Sequence, residues 1–229
     1  MSMPFYVSPE QVMKDRADYA RKGIARGRSL VALEYAEGIA LVAENPSGTL
    51  HKISEIYDRI AFAGVGKYNE FEMLKIAGIR HADVRGYSYS REDVTARALA
   101  NGYAQTLGQV FTHEMKPYEV EILVAQVGEH EGEANEMFHI LYDGTVMDEH
   151  GFTVLGGQAE AITDDLRARY DGGLDLGGAI RLGAKALGGP DDRDIAADQL
   201  EVAVLDRTRP RRKFRRIDDD AVVGLLSTD

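Results

Sequence analysis

The sequence predicts an α+β fold of four layers, in which two antiparallel sheets pack face to face and a pair of helices covers each outer face. Short segments with an apolar period of two alternate in groups with longer segments of helical period, in the order strands, two helices, strands, two helices and a strand. An extra helix precedes the first strand. No repeat or low-complexity linker divides the 229 residues, so we expect residues 1–229 to form a single domain.

The extra N-terminal helix is predicted over residues 8–27. Ser8 is a favourable N-cap, Pro9 suits the first helical position, and Gly27 is a typical stop. The apolar side chains of this helix are few and mostly small, which favours an interface helix over a core helix. Residues 1–7, MSMPFYV, are too short to build structure alone.

The remaining elements follow from periodicity and turn chemistry. Four strands are expected first, and the second of the two helices after them would begin with a capping box formed by Ser90 and Asp93. Further strands, with a tight turn at residues 142–145, lead to two helices, a strand and a short C-terminal helix near residues 218–226. The strand segments are SLVALEY, IALVAE, LHKISEI, RIAFAGVG, YEVEILVAQVG, EMFHILYD, FTVLGG and LEVAVLD; the helical ones are YNEFEMLKIAGIRHA, SREDVTARALANGYAQTLGQVFTHE, AEAITDDLRARY and LDLGGAIRLGAKALG.

Composition excludes several classes of function. A net charge of −11 argues against binding to nucleic acid or to anionic membranes. The absence of cysteine excludes disulfides and thiolate metal sites, and the six histidines are scattered, so we expect no metal and no cofactor. With no apolar run of membrane-spanning length and no signal-like N-terminus, a cytoplasmic location is expected.

Two charged runs have plain structural interpretations. Residues 207–217, RTRPRRKFRRI, carry seven basic residues at the end of an apolar strand. In an acidic chain they favour an internal interface or a patch for an acidic partner. Residues 129–136, EHEGEANE, lack the alternating ligands of a calcium loop and predict a solvated hairpin loop.

Residues 26–52 contain the side chains that could carry chemistry. Ser29 starts a strand, Glu44 ends the next one, and Lys52 follows a short loop. Ser29, however, is internal and has no neighbouring histidine as base, and Thr49 fits a turn. Motifs for nucleotide binding, zinc peptidases and serine hydrolases are absent, so we expect no intrinsic peptidase activity.

The same stretch carries a resemblance to a family. SLVALEYAEGIALVAEN and HKISEIYDRI, preceded by Ser8-Pro9-Glu10, Tyr19-Ala20-Arg21 and Gly27, resemble the N-terminal signature of proteasome α-type subunits, most closely the actinobacterial form. The family has the N-terminal-nucleophile hydrolase fold. In its catalytic subunits a processed N-terminal threonine is supported by an acid and a lysine, much as Glu44 and Lys52 are placed here; α-type subunits keep the fold without the nucleophile.

The resemblance implies a non-catalytic subunit of a protein-degrading complex. Seven copies would form a ring on the proteasome β-subunits, and an ATPase activator of the AAA class would dock its C-terminal tails in pockets that contain Lys52 and Gly27. The resemblance assigns the gate of the ring entrance to Met3, Pro4, Phe5, Tyr6, Val7, Ser8 and Pro9, and its support to Tyr19, Pro117 and Tyr118. In KPYEV, residues 116–120, Glu119 replaces a glycine of the family, and MSMPFYV replaces the Tyr-Asp-Arg of archaeal and eukaryotic relatives.

Two alternatives remain at the level of sequence. One is an autonomous amidase or peptidase of the same fold, which would require processing before a serine or threonine. The other is an oligomeric scaffold outside the proteasome.

Overall fold

The computed structural model describes residues 8–130, 132–189 and 193–227. The expected gate residues Met3, Pro4, Phe5, Tyr6 and Val7 lie outside the described residues, whereas Ser8 and Pro9 are included.

Two five-stranded antiparallel sheets form the centre of the structure. Sheet A has the strand order β10-β9-β2-β1-β8 and sheet B the order β3-β4-β5-β6-β7. The strands are β1 (Leu30–Tyr35), β2 (Gly38–Glu44), β3 (Ile53–Tyr57), β4 (Ile60–Gly66), β5 (Val120–Gln126), β6 (Glu136–Ile140), β7 (Val146–Glu149), β8 (Phe152–Leu155), β9 (Leu200–Asp206) and β10 (Phe214–Ile217). The helices are α1 (Pro9–Ile24), α2 (Tyr68–Ser88), α3 (Ala96–His113), α4 (Ala159–Arg169), α5 (Leu176–Leu187) and α6 (Asp219–Ser227).

Within the described residues, three large apolar layers hold the sheets and their covering helices together, and a smaller cluster around Ala20, Ile24 and Tyr142 holds α1. One lies between the two sheets and is built from side chains such as Leu41, Ile53 and Leu123. The second lies between sheet B and the helices α2 and α3, and the third between sheet A and the helices α4, α5 and α6. The alternation of each central strand serves two layers at once, which explains why almost every residue of β1 and β2 is buried. The predicted four-layer α+β sandwich with an extra N-terminal helix is confirmed.

The start of α1 agrees with the sequence, but its end does not. The Ser8 side chain accepts a hydrogen bond from the Gln11 amide (3.2 Å), and Pro9 opens the helix. The helix ends at Ile24 rather than near residue 27, and a turn closed by the Gly27 amide and the Ile24 carbonyl (2.8 Å) follows. At Gly27 a Cβ would stand only 3.1 Å from a Val65 methyl group, so this turn packs closely against sheet B.

The predicted capping box is wrong. Ser90 caps only a single 3₁₀ turn, Arg91–Asp93, whereas Thr95 caps α3 by accepting a hydrogen bond from the Ala98 amide (3.3 Å). Val94, between the two caps, is extended and buried, so the chain must leave the first turn before the long helix begins.

Two short strands were not predicted. The strand β7 has the sequence VMDE, which lacks a clean apolar alternation, and it pairs with β6 at the edge of sheet B. The strand β10 lies inside the basic run 207–217, where Phe214 and Ile217 are buried. An edge strand needs only a few apolar contacts, so charged residues can occupy the remaining positions of β10. The apolar alternation that predicts a strand is therefore missing from its sequence.

Charged side chains in both runs form ion pairs and hydrogen bonds within the chain. In the basic run, Arg216 forms an ion pair with the buried Glu201, and Lys213 donates to the Arg207 and Arg209 carbonyls (2.7 and 2.5 Å). An internal interface is therefore confirmed for this run. The acidic run is a solvated hairpin loop between β5 and β6, as expected, because residues 129, 130 and 132–134 are exposed. Glu133 also pairs with Arg59 at 2.8 Å, a hydrogen bond that lowers the pKa of Glu133.

Candidate docking and gating site

At the junction between α1 and β1 the Lys52 side chain reaches Arg28, the residue that follows Gly27. The Lys52 ammonium donates a hydrogen bond to the Arg28 carbonyl oxygen at 2.6 Å, directly beside Gly27. Lys52 lies immediately before β3 and is partly buried, so its side chain crosses from sheet B to the start of the first strand of sheet A. At position 27 a Cβ would stand 3.2 Å from the Gly66 amide nitrogen, so a glycine there allows the α1–β1 turn to approach the end of β4 closely.

Burial lowers the pKa of Lys52 to about 8, although the nearby Glu201 and Glu44 carboxylates oppose that shift. A lysine in this state is mostly protonated at neutral pH but incompletely solvated. Its ammonium has three donors. The arrangement therefore suits it to receive an anionic oxygen from outside.

Glu201 is the buried acid that fixes the position of Lys52. Its carboxylate accepts hydrogen bonds from the Lys52 amide (2.8 Å), the Ile53 amide (3.1 Å) and the Asn45 side chain (2.7 Å). Only 7% of this residue is exposed. Sequence reasoning missed Glu201, and the available signal was an acid at a buried position in the apolar strand LEVAVLD.

Glu44, the acid at the end of β2, is held by two arginines. It forms an ion pair with Arg28, sixteen residues earlier in the chain, and a second with Arg193 at 3.2 Å. The acid and Lys52 thus both turn toward Arg28, one through its guanidinium group and the other through its carbonyl oxygen. Arg28 itself has no nucleophilic hydroxyl or thiol, and the neighbouring Ser29 has no histidine beside it in the sequence to act as its base.

The other candidate nucleophiles and ligands are not assembled into a site. Ser29 is buried beside Gly156 and borders the same cleft as Arg28 and Glu44. Thr49 lies apart from it in an exposed turn, where its amide is 3.4 Å from the Ser47 hydroxyl, as expected for a turn residue. Across the described ranges, no group of three or more potential metal ligands of the types His, Cys, Asp or Glu comes together.

A cleft of about 330 Å³ opens beside this junction. Its lining is Ala25, Arg26, Gly27, Arg28, Ser29, Glu44, Gly157, Gln158, Leu187 and Arg193. The residues of the α1–β1 turn form one wall, and the ends of β8 and α5 form the others. The cleft has space for one or two side chains and is polar, which suits the end of a peptide chain better than a bulky apolar ligand.

The second predicted region, on the outer face of α1, is assembled in part. Tyr19 and Pro117 line one shallow cavity of about 590 Å³, together with Val12, Asp15, Arg16, Met115 and Lys116. The Lys116 ammonium lies 5.6 Å from the centre of the Tyr19 ring and pairs with Glu70 and Glu119, each at 2.7 Å. Tyr118 does not line this cavity, because it packs against the apolar layer between sheet B and its helices.

The replacement of the family glycine by Glu119 has a visible role in this region. Its carboxylate anchors Lys116, a contact that a glycine could not make. Its main-chain amide, which a glycine would share, donates to the buried Glu70 carboxylate at 2.7 Å. Burial lowers the pKa of Lys116, but hydrogen bonds to Glu119 and Glu70 outweigh this and raise it. Met115, next to this cluster, is fully exposed and was not singled out from sequence.

Comparison with known proteins identifies the relatives of the chain. The family described as "Proteasome subunit" matches residues 24–205. The chain is 62% identical to the proteasome subunit alpha of Kineococcus radiotolerans, an alignment that covers 99% of each chain. It is 62% identical to the proteasome subunit alpha of Sanguibacter keddieii, over 100% of this chain and 91% of that protein, and 56% identical to that of Thermomonospora curvata, over 99% of both. Within the described residues, no helix combines the length and the apolar character needed to cross a membrane.

Proposed function

The chain belongs to the proteasome family as an actinobacterial-type alpha subunit, and from this we propose that seven copies form the ring that gates substrate entry and docks the activator. It is a non-catalytic subunit that assembles with other proteasome subunits, and in this family the proteolytic activity lies in the β-subunits. The observation that supports the proposal best is the convergence of Glu44 and Lys52 on Arg28, where a catalytic subunit would need its nucleophile. An autonomous amidase and a scaffold outside the proteasome are not supported.

Docking would use the cleft beside Gly27 together with Lys52, which is not a lining residue of the cleft but donates to the carbonyl oxygen of Arg28, which is. A C-terminal carboxylate that enters the cleft would exchange the weak neutral acceptor of Lys52, the Arg28 carbonyl, for a charged one. A charge-assisted hydrogen bond of this kind contributes about 1.5–3 kcal/mol. When several tails of one ATPase activator of the AAA class bind to one ring, the high effective concentration of the remaining tails raises the overall affinity. A modest affinity of each single tail is then sufficient for docking.

Gating would depend on the residues that precede α1. Residues 3–7 would converge at the ring entrance and pack against their copies, because an apolar segment repeated around an axis avoids the repulsion of a charged one. Ser8 and Pro9 fix the point at which this segment leaves the helix. Tyr19 on α1 and Pro117 line the cavity on the outer face of α1 and would support the gate segment. Tyr118 would fix the position of Pro117 by packing against the apolar layer of sheet B.

The partners that follow from this proposal are six further copies of the chain, a ring of proteasome β-subunits and the activator, in the cytoplasm. Nucleic acid and membranes are not among them, in keeping with the net charge of −11.

The test is a reconstituted degradation assay with the co-expressed core particle and its activator. Lys52→Ala is expected to abolish activator-stimulated degradation while the particle still assembles, as judged by size-exclusion chromatography. Lys14→Ala, which removes an exposed lysine on α1, is the matched control and keeps wild-type stimulation. Undiminished stimulation in an assembled Lys52→Ala particle would refute the docking role.

A further inference from the structure

Two neighbouring clefts on the described surface share the lining residue Arg193, and we call the pair the basic trough. The first is the cleft beside Gly27. The second, of about 380 Å³, is lined by Arg181, Ala184, Lys185, Arg193, Asp194, Ile195 and Leu226. Arg193 lines both clefts, and α5 borders both through Leu187 in the first and Lys185 in the second. The trough therefore leads away from the proposed docking pocket along α5.

The charge of the trough is opposite to that of the whole chain. Its described cations are Arg26, Arg28, Arg181, Lys185 and Arg193. Glu44 is already paired with Arg28 and Arg193, and Asp194 is the other acid among the lining residues. The side chains of Arg26 and Lys185 make no hydrogen bond or ion pair with the described residues. In a chain of net charge −11, such a patch attracts an anionic partner.

The dimensions of the trough suit a short peptide. From Arg181 to Leu187 the helix α5 rises about 9 Å, at roughly 1.5 Å per residue. An extended chain, at roughly 3.3 Å per residue, covers that distance with about three residues. Ala184, Ile195 and Leu226 give the second cleft an apolar floor on which the backbone and side-chain stems of such a segment can lie.

We propose that the basic trough receives an acidic peptide segment directly preceding the carboxylate that docks at Lys52. The partner's tail then carries aspartate or glutamate about three to five positions before its last residue. A long nucleic acid fits less well, because the trough is short and the surrounding chain is acidic. This inference rests on the proposed docking function and specifies the chemistry of the tail that it would bind.

The experiment compares two fluorescein-labelled peptides with free C-terminal carboxylates, Glu-Glu-Glu-Ala-Ala-Leu and Gln-Gln-Gln-Ala-Ala-Leu, by anisotropy with the assembled core particle. We expect the glutamate peptide to bind about fivefold more tightly at 50 mM salt, and the two to bind equally at 0.5 M salt. Lys185→Gln, which removes an exposed ammonium without breaking a contact, is expected to reduce the preference to about twofold, whereas Lys14→Gln leaves it unchanged.

The outcomes separate the two proposals. Equal binding of both peptides at low salt would overturn the trough and leave docking intact. If neither peptide binds the wild-type particle, the docking function itself fails, and the trough fails with it. A single-stranded thymidine 12-mer that displaces the glutamate peptide at a lower concentration than unlabelled glutamate peptide would assign the trough to nucleic acid and overturn the inference.

Discussion

Lys52 is the group whose protonation we expect to control carboxylate docking. Burial places its pKa at about 8 in the free chain, and only the charged ammonium attracts a carboxylate. With that pKa, about nine-tenths of the lysines are charged at pH 7 and about one-tenth at pH 9. Docking should therefore weaken about tenfold between pH 7 and pH 9, equivalent to about 1.4 kcal/mol. A solvated lysine, with a pKa near its ordinary 10.5, would produce almost no change over this interval.

The assay is the anisotropy titration of a carboxylate-terminated peptide at pH 7, 8 and 9 and constant ionic strength. Lys52→Arg provides the matched control, because a guanidinium group stays charged across this range and should remove the dependence on pH. Calorimetry at pH 8 in two buffers of different ionisation enthalpy should detect the uptake of about half a proton on binding. Affinity that is constant from pH 7 to pH 9 in the wild-type particle would refute the assignment of a lowered pKa to Lys52.

Two further predictions concern residues that sequence reasoning missed or misplaced. Glu201→Gln removes a charge that raises the pKa of Lys52, so the midpoint of the pH dependence of peptide affinity should move below about 8. The control Asp198→Asn changes an exposed residue nearby and should leave the midpoint in place. An unmoved midpoint in Glu201→Gln contradicts the role of Glu201. Thr95→Ala should lower the free energy of unfolding in urea by about 1 kcal/mol, because Thr95 caps the long helix α3, and Ser90→Ala by less than about 0.5 kcal/mol. The reverse order would restore the predicted capping box.

The fold could be predicted from sequence wherever an element is buried on at least one face. The strands β1, β2, β4 and β9 consist mostly of buried apolar residues, and the sequence places them correctly. The strands β7 and β10 lie at sheet edges, where one neighbour strand supplies the hydrogen bonds and few side chains need to be apolar. Their pairing is set by β6 and β9, and local sequence carries little sign of it.

Only those residues of the candidate site that lie close together in the sequence could be predicted. Gly27, Glu44 and Lys52 lie within one stretch whose spacing matches a family pattern, so they could be named from sequence. Glu201 reaches Lys52 across 149 residues, and Arg193 reaches Glu44 across an equal separation. Such contacts depend on the pairing of β2 with β9 and on the path after α5, which no local pattern specifies.

The geometry around Arg28 indicates how an acid and a lysine that would support catalysis in a related subunit can instead bind a carboxylate. A lysine that supports a nucleophile must share a proton or stabilise a charge at the reacting atom, and a lowered pKa serves that purpose. Here the lysine with the lowered pKa, Lys52, donates to the backbone carbonyl of Arg28, and the guanidinium group of Arg28 is already bound to Glu44. Among the described residues the ammonium has one hydrogen-bond acceptor, the neutral Arg28 carbonyl, while Glu201 holds the Lys52 backbone in place by accepting hydrogen bonds from the Lys52 and Ile53 amides. A rigid, partly desolvated cation beside an open polar cleft favours a carboxylate that arrives from outside, because little ordering entropy or further desolvation remains to be lost on binding.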